Sequence, residues 1–202
     1  MKILTIVGAR PQFIKAASGS RALRKQHQEI LVHTGQHHDE NMSEVFFREM
    51  EIPTPDYNLG IAGGSHGEMT GRMLIEIEKV LQKEVPDAVL LYGDTNSTLA
   101  GALAAVKLHI PVIHVEAGNR LGTLDNPEEV NRICTDHCST LLLCATEDAR
   151  QKLEKENLGD RAHVIGNVMY DSFLHFAGRP WTNPHIIGLD GKPVTVPEEF
   201  YY

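Results

Sequence analysis

The sequence has 202 residues, enough for one large domain or for one domain with part of a second. Its hydrophobic fraction of 42% and charged fraction of 23% are typical of a globular protein. The net charge of −8 argues against a nucleic-acid partner or an anionic membrane surface, because both need clustered basic residues. No secretory leader and no apolar run near the roughly 20 residues of a membrane span is present, so we expect a cytoplasmic protein.

Neither the three cysteines nor the eleven histidines predict a metal centre. Cys134, Cys138 and Cys144 lack the paired spacing of a zinc or disulfide framework, which indicates reduced, buried thiols. His37 and His38 are adjacent, but no cysteine or further histidine stands at ligand spacing around them. We therefore expect no metal site.

Short apolar runs alternate with amphipathic ones, a pattern that predicts an α/β fold with a doubly wound parallel sheet. In chain order, the predicted strands are Lys2–Val7, Glu29–Thr34, Asp87–Tyr92, Pro111–Val115, Thr140–Ala145 and Ala162–Ile165. The predicted helices are Gln12–Gln26, Asp39–Met50, Glu68–Val85, Asn96–Leu108, Glu128–Ser139, Glu147–Asn157 and Asp171–Phe176. Gly101, within an Ala- and Leu-rich helix, is expected to allow close packing on the sheet.

The pattern changes after Gly178, where prolines recur, the helical period stops and a turn is expected at 188–191. We therefore predict a Rossmann-like domain over residues 1–177 and an irregular C-terminal tail over residues 178–202.

Candidate ligand-binding residues are those directly after each strand, because open parallel sheets bind ligands beyond the carboxyl ends of their strands. Gly8 follows the first strand, and Arg10 and Lys15 follow in the turn and helix. A helix start with free N–H groups and two cations suits a phosphate. The segment matches neither the dinucleotide fingerprint nor the P-loop, and two solvated cations at a helix start are an equally good interpretation of it alone.

Acids follow or open three later elements. Asp94 comes after the third predicted strand, where helix capping is the better interpretation if it is taken alone. Glu116 directly follows the Pro111–Val115 strand, and the sequence shows no helix start that it would cap. Glu128 opens a helix, while the place of Glu129 is accounted for by the helix dipole.

Taken together, these acids predict a reaction class. Asp94, Glu116 and Glu128 would face one crevice, with Arg10 and Lys15 across from them. Clustered carboxylates suit proton transfer at carbon, and nearby cations suit a phosphate leaving group, so the set is typical of an elimination.

The same segments resemble the non-hydrolysing UDP-N-acetylglucosamine 2-epimerases in order and spacing, from Met1 to about Phe173. The matching segments are Gly8–Lys15, Thr34–His37, Gly93–Thr95, His114–Gly118, Pro127–Arg132 and Gly166–Val168 with Asp171. The resemblance implies the N-terminal half of a GT-B-type enzyme of two Rossmann-type domains, with a UDP-sugar between them and no added cofactor. It further implies inversion at C2 by anti elimination and re-addition of UDP.

Roles for eight residues follow from the resemblance. The implied acid/base residues are Asp94, Glu116 and Glu128, and the implied substrate-binding residues are Arg10, Lys15, Gln36, His37 and Thr95. Which acid acts at which step is left open.

Two departures from the family pattern matter. Family members are about twice as long, and their second domain supplies a catalytic histidine and most of the uridine pocket. We therefore expect an incomplete half, either truncated or completed by a separate C-terminal-domain chain, in a homodimer. Asn119 replaces the family's usual leucine, and the spacing from Glu116 to Glu128 (128 − 116 = 12 residues) suits the branch acting on UDP-2,3-diacetamido-2,3-dideoxyglucuronate at least as well.

Two alternatives from other classes remain. A non-catalytic nucleotide-sugar-binding domain would bind weakly without turnover. An NAD-dependent oxidoreductase is disfavoured, because the glycines between Gly60 and Gly67 do not follow the first strand.

Overall fold

Runs of buried apolar residues form the strands of one seven-stranded sheet. The computed structural model describes residues 1–35, 47 and 50–177, and the backbone alone of residues 186–187 and 193–194. The strands are β1 (Lys2–Val7), β2 (Gln28–His33), β3 (Tyr57–Asn58), β4 (Ala88–Tyr92), β5 (Val112–Val115), β6 (Leu141–Cys144) and β7 (Ala162–Val164). All neighbouring pairs are parallel, in the order β3-β2-β1-β4-β5-β6-β7, which confirms the predicted doubly wound sheet.

Helices connect the strands. They are α1 (Arg10–Leu23), α2 (His66–Glu84), α3 (Asn96–Lys107), α4 (Pro127–Cys138), α5 (Glu147–Lys155) and α6 (Val168–Ala177). Side chains cap the starts of α2 to α5, since Ser65, Thr95, Asn126 and Thr146 each accept a first-turn N–H. Across the described ranges, no helix combines the length and apolar character that crossing a membrane requires.

The predicted elements within the described residues form, with ends shifted by a few residues. The helix predicted over Asp39–Met50 lies outside the described residues except for Phe47 and Met50. The two-residue strand β3 was not predicted, because so short a segment carries no alternating pattern.

The chain divides into two compact units, residues 1–172 and 173–202. In the second unit, the described strands β8 (Ile186–Ile187) and β9 (Pro193–Val194) pair antiparallel. Most of the predicted irregular tail and its turn at 188–191 lie outside the described residues, so the boundary at 177/178 stays a prediction.

Alternate residues of β1 supply the cores on the two faces of the sheet. Leu4 and Ile6 pack in the cluster that contains residues of α2 and α3. Ile3 and Val7 pack in the cluster that contains Phe13 of α1. The helices after β1 and β4 therefore cover opposite faces. The three cysteines are free thiols, with Cys144 buried and Cys134 and Cys138 half-buried.

An apolar groove of about 420 Å³ lies beside α1 on the sheet face formed by β4, β5 and β6. Leu90, Ile113 and Leu143 line it, and none of its described lining residues is an Asp, Glu, Lys or Arg. A groove without charge does not suit a diphosphate, so the carboxyl ends of the strands remain the place to look for a nucleotide-sugar site.

The close packing predicted at Gly101 is confirmed, since an added Cβ would lie 2.8 Å from Ile6 Cδ1 and 2.8 Å from Leu91 Cδ2. We expect Gly101→Ala to lower the free energy of unfolding by about 1 kcal/mol, because overpacking of about 1–3 kcal/mol outweighs the gain in helix propensity. Gly71→Ala on α2, where nothing lies within 4 Å, is the matched control and should raise it by about 0.5–1 kcal/mol. Urea unfolding measures both, and an equal gain at both positions would contradict the packing.

Candidate active site

The turn after β1 is fastened to the end of β4 by one side chain. Gln12 Oε1 accepts hydrogen bonds from the N–H groups of Gly8 (2.7 Å) and Ala9 (3.0 Å). Gln12 Nε2 donates to the carbonyl oxygen of Tyr92 at 2.8 Å. Two N–H groups of the turn are thus already satisfied, so an anion here depends more on the cations than the sequence suggested. β1 and β4 are the neighbours at which the strand order reverses, the usual place for a ligand crevice.

Lys15 and Glu116 form an ion pair at this crevice. Lys15 projects from α1 and is 7% exposed, while Glu116 follows β5 and is half-buried. Gly93, at the end of β4, packs against both, since a Cβ there would lie 3.2 Å from Lys15 Nζ and 3.5 Å from Glu116 Oε2. Gly93 (φ +65°) and Glu116 (φ +72°) are both in the left-handed region, which costs glutamate more than glycine. Residues leaving β4 and β5 thus meet a cation from α1.

Asp94 contacts α4 rather than α1. Its carboxylate lies 2.5 Å from the Arg132 guanidinium, and its backbone carbonyl accepts from Asn131 Nδ2 at 2.9 Å. The alternative that Asp94 caps α3 is wrong, because Thr95 is the N-cap and its hydroxyl accepts from Thr98 N–H. The hydroxyl of Thr95, a predicted substrate-binding residue, therefore also caps helix α3.

The two acids that open α4 lie in different environments. Glu128 is exposed, and its carboxylate makes no hydrogen bond or ion pair with any described residue. Glu129 is 1% exposed and accepts from the N–H groups of Leu121 (2.7 Å) and Gly122 (3.0 Å), while its other oxygen pairs with Arg132 at 2.8 Å. The helix dipole alone therefore does not account for Glu129, which anchors the loop before α4.

Burial raises the pKa of Glu129, but the hydrogen bonds from Gly122, Arg132 and Leu121 outweigh burial and hold the pKa below its ordinary value. The carboxylate is therefore the stable form of this acid in the folded protein.

The predicted site residues fall into three groups. Lys15 and Glu116 are brought together, and Asp94 and Thr95 follow the glycine that packs on that pair. The Glu128 carboxylate has no hydrogen bond or ion pair within the described residues, and Arg10 stands at the first position of α1. Gln36 and His37 lie outside the described residues. Within the described ranges, no group of three His, Cys, Asp or Glu side chains is placed to hold a metal.

Three side chains whose hydrogen bonds position residues of the candidate site were not singled out from the sequence. Gln12 and Arg132 lie inside segments that match the family pattern, and that match is the sequence feature from which they could have been found. Asp136, fully buried on α4, gave no signal, because an acid in a polar helix is usually exposed.

A sequence model of one protein family, described as UDP-N-acetylglucosamine 2-epimerase, matches residues 21–188. A UDP-2,3-diacetamido-2,3-dideoxy-D-glucuronate 2-epimerase from Pseudomonas aeruginosa is 56% identical over 196 residues, 95% of this chain and 55% of that protein. A UDP-N-acetylglucosamine 2-epimerase from Methanocaldococcus jannaschii is 50% identical over 176 residues, 86% of this chain and 48% of that protein.

A solved structure of the Methanocaldococcus jannaschii UDP-GlcNAc 2-epimerase, in complex with UDP-GlcNAc and UDP, superposes with a TM-score of 0.86 at 48% identity. The overlap covers 90% of this chain and 51% of that one. The chain spans about half the length of the curated relatives it matches. The comparison confirms the expected fold class, a Rossmann-like N-terminal half of a GT-B-type enzyme.

Glu129→Gln should lower the free energy of unfolding at neutral pH by about 1–3 kcal/mol, because it removes a buried, charge-assisted contact with Arg132. Since the folded pKa of Glu129 is lowered, this stability is present above the ordinary value of 4.5 and is lost as the pH falls through the folded pKa. Urea unfolding at several pH values should therefore show the difference from wild type shrinking in acid. The control Glu128→Gln should change stability by less than about 0.5 kcal/mol. Equal losses for the two variants would contradict the assignment.

Proposed function

Since the chain belongs to the UDP-N-acetylglucosamine 2-epimerase family, we propose that it is the N-terminal half of a sugar-nucleotide 2-epimerase. The observation that carries the proposal is the Lys15–Glu116 ion pair at the reversal of strand order, with Asp94 one residue beyond the glycine that packs on it. The substrate is a UDP-sugar with an acetamido group at C2, and no cofactor takes part.

The proposed reaction inverts C2 in two halves. A carboxylate removes the C2 proton, the electron pair forms the C1=C2 bond, and the C1–O bond breaks so that UDP leaves with its electrons. UDP then adds back to C1, and an acid delivers a proton to C2 from the opposite face. Two proton-transfer groups must therefore flank the sugar.

The proposal draws its three acids from three different elements. Asp94 follows β4, Glu116 follows β5, and Glu128 opens α4. The Arg132 guanidinium lies 2.5 Å from the Asp94 carboxylate and restrains its position. Lys15, which pairs with Glu116, supplies positive charge for the departing diphosphate, together with Arg10 at the start of α1. Gln36, His37 and Thr95 complete the proposed substrate contacts.

The sugar is UDP-N-acetylglucosamine or UDP-2,3-diacetamido-2,3-dideoxyglucuronate. UDP-2,3-diacetamido-2,3-dideoxyglucuronate is the alternative substrate. Two observations support it: the 12-residue spacing from Glu116 to Glu128 and the 56% identity to the Pseudomonas aeruginosa relative. Both sugars undergo the same chemistry at C2, so the reaction class does not depend on this choice.

The remaining half of the enzyme supplies the other wall of the site. We place the N-terminal domain at residues 1–177 and the tail at 178–202, with a second Rossmann-type domain as a separate chain or further along the polypeptide, in a homodimeric, cytoplasmic enzyme. The rival function is a nucleotide-sugar-binding domain without catalysis. Turnover distinguishes the two.

Together with a separately expressed second domain, the chain should exchange the C2 proton of one of the two UDP-sugars for deuterium in D₂O. Asp94→Asn, Glu116→Gln and Glu128→Gln should each slow this exchange by about 100-fold or more, because each removes a proton-transfer group. Glu147→Gln, which changes an exposed first-turn acid of α5, is the matched control and should leave the rate unchanged. Mass spectrometry and NMR measure the exchange. Exchange that survives Asp94→Asn, or no exchange with either sugar, would count against the proposal.

The chain on its own should show no turnover, because half a cleft neither excludes water nor holds the uridine. Calorimetry with UDP, run beside a turnover assay on the isolated chain, checks this expectation. Robust epimerisation by the purified chain would overturn the view that a second domain is needed.

A further inference from the structure

His114 joins the end of β4 to helix α4 from inside the core. It lies on β5, two residues before Glu116, and is fully buried. Its Nε2 lies 2.6 Å from the carbonyl oxygen of Gly93, and its Nδ1 lies 2.7 Å from Asp136 Oδ1. A carbonyl oxygen can only accept, so Nε2 carries a hydrogen and donates it to Gly93.

Asp136 is an acceptor as well. Its second oxygen accepts from Gly118 N–H at 3.1 Å and from Arg120 at 2.8 Å. Burial raises the pKa of Asp136, but the hydrogen bonds and charges of His114 and Arg120 outweigh burial and keep that pKa below its ordinary value. From these partners we assign a hydrogen to both ring nitrogens of His114, which donates at each end.

This cluster connects the segments that carry the three proposed acids. Gly93 directly precedes Asp94, and Gly118 closes the turn that begins at Glu116. Asp136 stands on α4, the helix that Glu128 opens. The network His114–Asp136 therefore sets these segments relative to one another without reaching the crevice itself.

The carbonyl that His114 holds belongs to the residue that packs on the Lys15–Glu116 pair. Gly93 is in the left-handed region, and as a glycine it has other backbone conformations open to it. A rotation of its peptide would move Asp94 and would change the position of Gly93 beside Lys15 and Glu116. The bond from His114 Nε2 opposes that rotation.

We propose that His114 is a positioning residue, which locks the Gly93–Asp94 peptide against the Lys15–Glu116 pair through its two hydrogen bonds. The effect of this positioning on catalysis rests on the proposed function, whereas the positioning of the peptide by His114 does not.

Two substitutions separate the two bonds. The amide nitrogen of His114→Gln takes the place of Nε2 and keeps the donor to Gly93, whereas that of His114→Asn takes the place of Nδ1 and keeps only the donor to Asp136. Leu142→Ala is the control for lost stability, since Leu142 is fully buried and lies opposite His114 on β6. If His114 served only to stabilise the fold, all three variants would affect the site in proportion to their loss of stability.

The first readout is the backbone amide NMR spectrum of the full chain without ligand. We expect His114→Asn to shift the Asp94 and Glu116 amide signals clearly more than Leu142→Ala does, and His114→Gln to leave them near their wild-type positions. Equal shifts for His114→Asn and Leu142→Ala, or for the two histidine variants, would overturn the proposal.

A second measurement needs no variant and stands if those proteins fail to fold. In the ¹⁵N-histidine-labelled chain, both ring nitrogens of His114 should carry a hydrogen, as their two acceptors require. A His114 Nε2 without a hydrogen would rule out the donor to Gly93 and with it the proposed positioning role.

The exchange assay with the second domain then tests the catalytic meaning. His114→Asn should lower the maximal exchange rate by at least about tenfold with little change in KM, and His114→Gln should recover most of it. If wild type shows no exchange, the proposed function fails while the NMR result still decides the lock. If wild type exchanges and His114→Asn matches Leu142→Ala, the lock has no catalytic role and the proposal fails while the function stands.

Discussion

β1 and β4 are hydrogen-bonded neighbours, yet the helices that follow them pack on opposite faces of the sheet. No single helix can cover both strand ends, so a crevice opens between them. Gln12 joins the two strand ends there, because its amide nitrogen donates to the carbonyl of Tyr92. The contacts of the candidate site build outward from this junction, through Gly93 to Lys15 and Glu116, and through Asp94 to α4.

Six acids among the described residues fall into two groups by their environment. Glu29, Glu129 and Asp136 are buried, and each accepts at least three hydrogen bonds from neighbouring donors. A buried carboxylate must be satisfied in this way, and its loss costs stability. Asp94, Glu116 and Glu128 are half-buried or exposed and have fewer partners. Acids with accessible oxygens are the ones available for proton transfer, so the same residue type holds the fold in one place and serves chemistry in another.

Much of this arrangement could be predicted from the sequence. β-branched and leucine runs marked the strands, and polar residues directly after them marked the candidate site. Which partner each side chain takes could not be predicted. Adjacent helix residues point about 100° apart, so Glu128 faces solvent and Glu129 the core although both open α4. The pairing of Asp94 with Arg132 instead of Arg10 or Lys15 likewise depends on three-dimensional packing.

Glu116 occupies a backbone conformation that costs a non-glycine residue about 1–2 kcal/mol. Its ion pair with the buried Lys15 offsets that strain, because an unpaired ammonium would otherwise be left at the carboxyl ends of the strands. The energetics of positions 15 and 116 are therefore non-additive. Glycine at 116 relieves the backbone whatever stands at position 15, but it leaves a buried ammonium unpaired only while Lys15 keeps its charge.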